Sequence, residues 1–393
     1  MAEPPVPSLA AIFVRFLKFG LLAWGGPAAQ IAMIKRELVD EQKWTSPTRF
    51  NRLLAIFQVL PGPEAHELCV HLGMMKRGRL GGILAGLGFM LPGLLLILIL
   101  SWAYARLDLA QPIWRAMFLG VQVAVIALIV RSVHRIGEHV LRDLWLWAAA
   151  LISAGAALLG VSFWIILPAA GIGYVLLAKR QFLLALSVFG GAAAIALMTT
   201  EAPHTELARA QAMVAVSVGP LPLFLSGLKA GLLTFGGAYT AIPFVRDDTV
   251  GRGWLSDSQF LDGLALSGII PAPLIIFATF VGYQAGGLAG ALAMTAGIFL
   301  PAFAFSLLFF DRLERVVKDQ RIHRFLDGVA AAVVGLIAAT TLELARGAAS
   351  AASLPLVALI FAASLTLLYL WRSKFAMLAV IPLAALAGMI AFV

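Results

Sequence analysis

Gly20-Leu21-Leu22-Ala23-Trp24-Gly25-Gly26 returns about 210 positions later as Gly231-Leu232-Leu233-Thr234-Phe235-Gly236-Gly237, and the recurrence continues outward in order. Trp44 and Ser46 come back as Trp254 and Ser256, Phe50 as Phe260, and Pro61-Gly62-Pro63 as Pro271-Ala272-Pro273. Gly73, Gly78, Gly81, Gly88 and Leu91-Pro92 then match Gly282, Gly287, Gly290, Gly297 and Leu300-Pro301. Chance supplies one such block but not the ordered series, so the chain reads as an internal duplication.

The 393 residues are 61% hydrophobic and 12% charged, against roughly 25% charged in an average soluble domain. Charges gather at residues 35–52, 76–79, 131–142 and 311–324 with long apolar runs between them, which is how membrane spans alternate with loops. Segments of membrane character fall at residues 9–34, 53–75, 80–102, 113–130, 144–158 and 163–178, then 182–198, then 212–245, 260–283, 288–310, 325–344, 354–370 and 375–392. The expected fold class is an all-α polytopic membrane protein. A first repeat covers 1–180, a linking transmembrane helix and polar loop cover 181–211, and a second repeat covers 212–393.

The net charge of +9 sits beside apolar spans, so it points to anionic lipid and not to nucleic acid. The single cysteine, Cys69, excludes an intrachain disulfide and a Cys-based zinc site. Met1-Ala2-Glu3-Pro4-Pro5 lacks a positively charged n-region, so the first apolar stretch is expected to belong to the mature protein.

Loop charge orients the copies, because short cytoplasmic loops are enriched in Lys and Arg. Lys76-Arg77-Gly78-Arg79 is basic and its counterpart at 284–288 carries no charge, whereas Arg312, Arg315, Lys318, Arg321 and Arg324 outweigh Arg106 and Arg115 in the loop equivalent to theirs. Equivalent loops therefore face opposite sides. Two inverted six-segment repeats joined by one extra helix are expected, as in many secondary transporters. The N-terminus then lies in the cytoplasm and the C-terminus opposite. Arg131, Arg135, Arg142, Lys179-Arg180, Arg372 and Lys374 all fall inside. The loops 35–52 and 246–259 fit either side, since their flanking segments either cross fully or are re-entrant.

The repeated elements are also helix breakers: Trp24-Gly25-Gly26-Pro27, Pro61-Gly62-Pro63, Phe235-Gly236-Gly237 and Pro271-Ala272-Pro273. Non-helical backbone at membrane depth survives only where protein buries it or it lines a cavity, so the four breaks predict a central, wet site. Broken helices expose N–H groups and a positive dipole end, which suit an oxyanion. Lys18 and Lys229 are equivalent cations before the Gly-Gly breaks, and Lys35 pairs with Arg246 after them. Thr234, Tyr239, Thr240 and Gln30 supply donors that either reach an anion or bond helix to helix.

A cluster without a second copy follows the first Pro-Gly-Pro: Glu64, His66, Glu67 and His71. Three readings stand: a solvated helix end facing the cytoplasm, a proton relay, or a divalent-metal site. The second half has Leu274, Ile276, Phe277 and Val281 there, which argues against a duplicated cation path. No phosphate-binding loop, nucleophile elbow, His-Glu-x-x-His or dinucleotide fingerprint occurs, so an ATP-driven pump is not expected.

Residues 19–30, reading Phe19-Gly20-Leu21-Leu22-Ala23-Trp24-Gly25-Gly26-Pro27-Ala28-Ala29-Gln30, resemble the chromate ion transporter family in its long, two-repeat form. The resemblance continues through Val59-Leu60-Pro61-Gly62-Pro63, Gly86-Leu87-Gly88-Phe89-Met90-Leu91-Pro92, Thr234-Phe235-Gly236-Gly237-Ala238-Tyr239 with Trp254-Leu255, Phe260-Leu261-Asp262-Gly263-Leu264-Ala265-Leu266, Pro271-Ala272-Pro273-Leu274 and Phe280-Val281-Gly282-Tyr283. It implies export of chromate across the cytoplasmic (inner) membrane and chromate resistance, with sulfate as the structural analogue, no enzyme activity, no metal and no cofactor. Two departures bear on substrate preference: Gln30 stands where many members carry His, and Ala272 interrupts the second Pro-Gly-Pro. Sulfate or other oxyanion uptake, a membrane enzyme acting on a phosphorylated lipid, and a cation transporter built on Glu64, Glu67 and His71 are the rival readings. Analogy with other two-repeat transporters suggests a homodimer.

Overall fold

The computed structural model describes residues 7–58, 60–109, 111–199, 217–235, 237–309, 319–371, 373 and 375–392. Gly236, the polar linking loop, the basic residues Arg312, Arg315 and Lys318, and Arg372 with Lys374 lie outside them.

The first half contains α1 (Leu9–Leu21), α2 (Gly26–Ile34), α3 (Pro47–Phe57), α4 (Glu64–Tyr104), α5 (Pro112–Val140), α6 (Leu144–Leu158) and α7 (Phe163–Ala178). After α8 (Phe182–Thr199), the second half contains α9 (Pro220–Leu233), α10 (Ile242–Thr249), α11 (Asp257–Gly268), α12 (Phe277–Ala304), α13 (Gln320–Ser350), α14 (Leu354–Leu370) and α15 (Ala376–Phe392). Short 3-10 turns, Ala238–Ala241 and Leu274–Ile276, precede α10 and α12. Among the described residues there is no strand, only one isolated bridge. Helical runs long and apolar enough to cross a membrane are Glu64–Tyr104, Pro112–Val140, Leu274–Phe309 and Gln320–Ser350, with six shorter apolar helices beside them.

Several apolar stretches are not single rods. Residues 9–34 divide at Leu22–Gly25 because Gly25 takes a left-handed φ of 93°, and Pro27 then starts α2 in its first turn. Both α3 and α11 begin on a serine cap, Ser46 accepting from Arg49 N and Ser256 from Gln259 N, so the duplicated Trp-x-Ser is a duplicated helix start.

The two longest runs are each a pair of arms. Helix α4 turns at Arg77 (φ −140°, ψ 30°) and Gly78 (φ 62°, ψ −159°), and α12 at Gly286 (φ −146°, ψ 22°) and Gly287 (φ 63°, ψ −156°). Past the turn the chain folds back on itself: a Cβ added to Gly73 would stand 3.0 Å from the Gly81 carbonyl carbon, and one on Gly282 would stand 2.9 Å from that of Gly290. The matched glycines thus serve one turn geometry twice. Gly78 and Gly287 occupy backbone space open essentially to glycine alone, and nothing lies within 4 Å of a Cβ at either. Alanine at each should therefore cost about 1–3 kcal/mol through the backbone alone, read as a lower melting temperature, whereas Gly155→Ala, in open space inside α6, should not destabilise.

The halves close on one another crosswise. Helix α5 packs against α14 and α15, and α13 packs against α6 and α7, while the long arms of α4 and α12 meet between them. Glycines allow both crossings: a Cβ on Gly120 would lie 2.8 Å from Gly388 Cα, and one on Gly328 would lie 3.0 Å from Gly171 Cα.

Candidate functional site

The four breaks meet in two junctions, each joining one half to the other. At the first, Pro61 and Phe235 form an antiparallel bridge, and Gly62 N–H donates to Thr234 O at 2.8 Å. At the second, Gln30 on α2 is 1% exposed and its amide donates to Ala23 O at 2.9 Å and Ala272 O at 3.2 Å. Helix α4 approaches closely here, since a Cβ on Gly93 would reach Ala272 Cα at 3.5 Å. Pro271 and Pro273 flank that contact.

The second junction opens into a small cleft, of about 30 Å³, lined by Trp24, Gly25, Gly26 and Pro27 together with Tyr239, Ser267, Gly268 and Ala272. The α2 N-terminus starts there and carries no acidic residue in its first turn, which leaves its dipole to an outside anion. The first junction is poorer in donors. Glu64 and Glu67 occupy the first turn of α4, and the N–H groups of His66 and Glu67 return to Pro63 O. Thr234 and Thr240 hydroxyls donate to Ala230 O and Gly237 O, so they act as helix-to-backbone ties. Gly237 (φ 124°) leads into the turn that presents Tyr239. A larger hollow between α6, α7 and α8 is walled by Trp145, Ile152, Phe182 and Phe189. It offers an anion nothing.

The cations expected to attract an anion are mostly engaged. Lys18, its side chain 60% exposed, pairs with Glu37 at 3.3 Å. Lys229 pairs with Asp248 at 2.6 Å and Asp247 at 3.8 Å and lies 4.7 Å above the Phe163 ring. Glu37 and Asp248 stand in corresponding places after the Gly-Gly breaks, so the duplicated lysine has a duplicated carboxylate. Arg246 is held by Asp257 at 2.7 Å and by Glu343 at 2.5 Å. Lys35 opens a π-helical turn, Lys35–Glu41, beyond α2.

Arg131 and Arg135 on α5 are different. Both act on the Tyr239 side chain, and neither has a carboxylate partner among the described residues. Sequence reading assigned them to a cytoplasmic loop. Nothing in one chain announces that a helix end will reach back to Tyr239 of the other half.

The Glu64 to His71 cluster is buried, not solvated: Glu64 is 8% exposed, His66 0%, Glu67 0% and His71 3%. The helix-end reading is thereby corrected, because α4 enters the protein interior directly from Pro63. The His66 ring lies among Phe299, Phe303 and Phe89. The Glu67 carboxylate sits against the first break, 2.8 Å from where a Gly62 Cβ would be, with no hydrogen-bond partner for either oxygen among the described residues. No group of three or more His, Cys, Asp and Glu among the described residues is placed to hold a metal ion.

Apolar helices of membrane length, several interrupted at buried Gly and Pro breaks, mark a multi-pass membrane protein. The chain belongs to the chromate transporter family, whose profile matches it twice, over residues 10–174 and 221–389. It is 61% identical to the chromate transport protein of Pseudomonas aeruginosa, over 100% of this chain and 94% of that one. It is 31% identical to the chromate transport protein of Cupriavidus metallidurans, over 99% and 94% of the respective chains. A probable chromate transport protein of Synechococcus elongatus is also 31% identical, over 87% and 86%. No solved structure matches the chain.

Proposed function

We propose that the chain is a secondary transporter that exports chromate from the cytoplasm by alternating access between two inverted repeats, and that it confers chromate resistance. The observation that carries this reading is the cleft at the second junction, where the α2 N-terminus opens and whose wall includes Tyr239, a side chain under the electrostatic influence of Arg131 and Arg135, which have no carboxylate partner among the described residues. A tetrahedral dianion needs fixed positive charge and directed N–H donors, and the unpaired guanidinium groups and the α2 start supply the two kinds. The names of the relatives point to the same ion. Sulfate, of like shape and charge, is the expected competitor. Trp24, Gly25, Gly26, Pro27, Tyr239 and Ala272 form the substrate site in this reading, and Lys18 and Lys229 hold the structure around it. Buried Glu64, His66, Glu67 and His71 are proposed as a proton relay behind the first junction.

Everted membrane vesicles test this directly. Labelled chromate should accumulate saturably in vesicles holding the protein, and excess unlabelled sulfate should reduce its entry. Accumulation no greater than in vesicles lacking the protein would defeat the proposal.

A further inference from the structure

Asp262 lies in the middle of α11, 1% exposed, in the second half of the chain. Its two oxygens are held by the first half. The Tyr104 hydroxyl at the end of α4 donates to Oδ2 at 2.7 Å, and the Gln122 amide of α5 donates to Oδ1 at 2.9 Å. Gln122 Nε2 also reaches Ser258 Oγ at 2.6 Å, one turn back on α11. The Tyr104 ring is clamped edge-on by Phe118 and Phe280, at 5.3 and 5.0 Å, so the carboxyl is cut off from water.

No cation among the described residues compensates this carboxyl. Tyr104 is the titratable group that faces it; α5 presents the neutral Gln122, and α15 and the turn Leu274–Ile276 are wholly apolar in sequence. No lysine, arginine, histidine or second carboxylate acts on it from any element packed against α11 among the described residues. An isolated carboxylate in such a place is costly and is rarely retained without a role. The network has room for two states. As a carboxylate, Asp262 accepts from Tyr104 and Gln122; as an acid, it donates through Oδ2 to the Tyr104 oxygen, since a hydroxyl rotor serves either way.

Those states differ in how tightly α11 is held. Two charge-assisted bonds tie the ionised form to α4 and α5, and weaker neutral ones tie the acid. The same helix ends in Ser267 and Gly268, which line the cleft. A change of grip at Asp262 is therefore transmitted, within one short helix, to the wall of the substrate site. From this we infer that Asp262 is a proton-binding site whose occupancy is coupled to the ion in the cleft. The inference rests on the transporter reading and adds to it a coupling group that lies outside the Glu64 to His71 cluster. The proton passes between Asp262 Oδ2 and water only in a state in which α11 shifts away from Tyr104 and admits water; no other bond is made or broken.

The test uses purified protein in liposomes, at a pH where chromate is fully deprotonated, and compares wild type with Asp262→Asn, which keeps the side-chain shape. Chromate–chromate exchange, which moves no net proton, should persist in the variant within about threefold, while accumulation driven by a pH gradient should fall at least about tenfold. In weakly buffered detergent, chromate binding should move protons in wild type and not in the variant. Gradient-driven accumulation at the wild-type level in Asp262→Asn overturns the inference. So does loss of exchange in a variant of unchanged melting temperature, which would make Asp262 part of translocation itself. Should the variant unfold, Tyr104→Phe takes its place; it removes one donor from the ionised form, so the pH of half-maximal driven uptake should move up by about one unit, and an unmoved midpoint overturns the inference. Wild-type protein that neither exchanges nor accumulates chromate would instead defeat the transporter reading.

Discussion

Lys229→Ala is expected to destabilise the protein by about 3–5 kcal/mol, the usual consequence of stripping the partner from a buried charge. The Asp248 side chain is 4% exposed and faces Lys229 at 2.6 Å, so removing the ammonium leaves Arg252, at 3.1 Å and largely exposed, to compensate alone. The double variant Lys229→Ala with Asp248→Ala should recover most of the loss, because no uncompensated carboxylate then remains. Melting temperature in detergent and the yield of folded protein check both arms. A single variant of wild-type stability that no longer moves chromate would instead place the ammonium on the ion. The equivalent variant Lys18→Ala removes a pair that is 60% exposed at the lysine and should cost under about 1 kcal/mol, so one duplicated contact has two very different energies.

Arg131→Ala should leave the fold intact and raise the KM for chromate steeply. A guanidinium holding an oxyanion by two charge-assisted bonds contributes about 3 kcal/mol, roughly a hundredfold in affinity. Arg131→Lys keeps the charge but loses the planar fork, so partial recovery is expected. Initial rates of vesicle uptake across a range of chromate concentrations separate KM from maximal rate. An unchanged KM would remove Arg131 from the substrate site.

Much of this architecture was legible before any coordinates. Glycine and proline carry their geometry with them, so Trp24-Gly25-Gly26-Pro27 announced a helix break at its own position, where Gly25 takes a left-handed φ. The recurrence of Trp44 and Ser46 as Trp254 and Ser256 showed the duplication, and the structure adds that both serines cap helices. Partnership across the halves was not legible. Lys229 reads as a lone ammonium among leucines until the second Gly-Gly break bends the chain and returns Asp248 to it. Asp262 reads as one acid in an apolar helix; the donors that define it come from Tyr104 and Gln122, well over a hundred residues away. Burial of Glu64 to His71 was hidden for the same reason, since hydropathy cannot say that Phe299 and Phe303 will close over His66.

The crosswise closure has a consequence for the order in which the protein can be made. Helix α5 emerges from the ribosome about 210 residues before the two helices that cover it, roughly ten to forty seconds at common rates of synthesis. During that interval the Gly120 edge that will meet Gly388 has only lipid or the insertion machinery for company. Insertion of the first half must therefore run ahead of its completion. A nascent chain stopped before Leu354 would be stranded without α14 and α15, so helices of the second half complete the packing of the first.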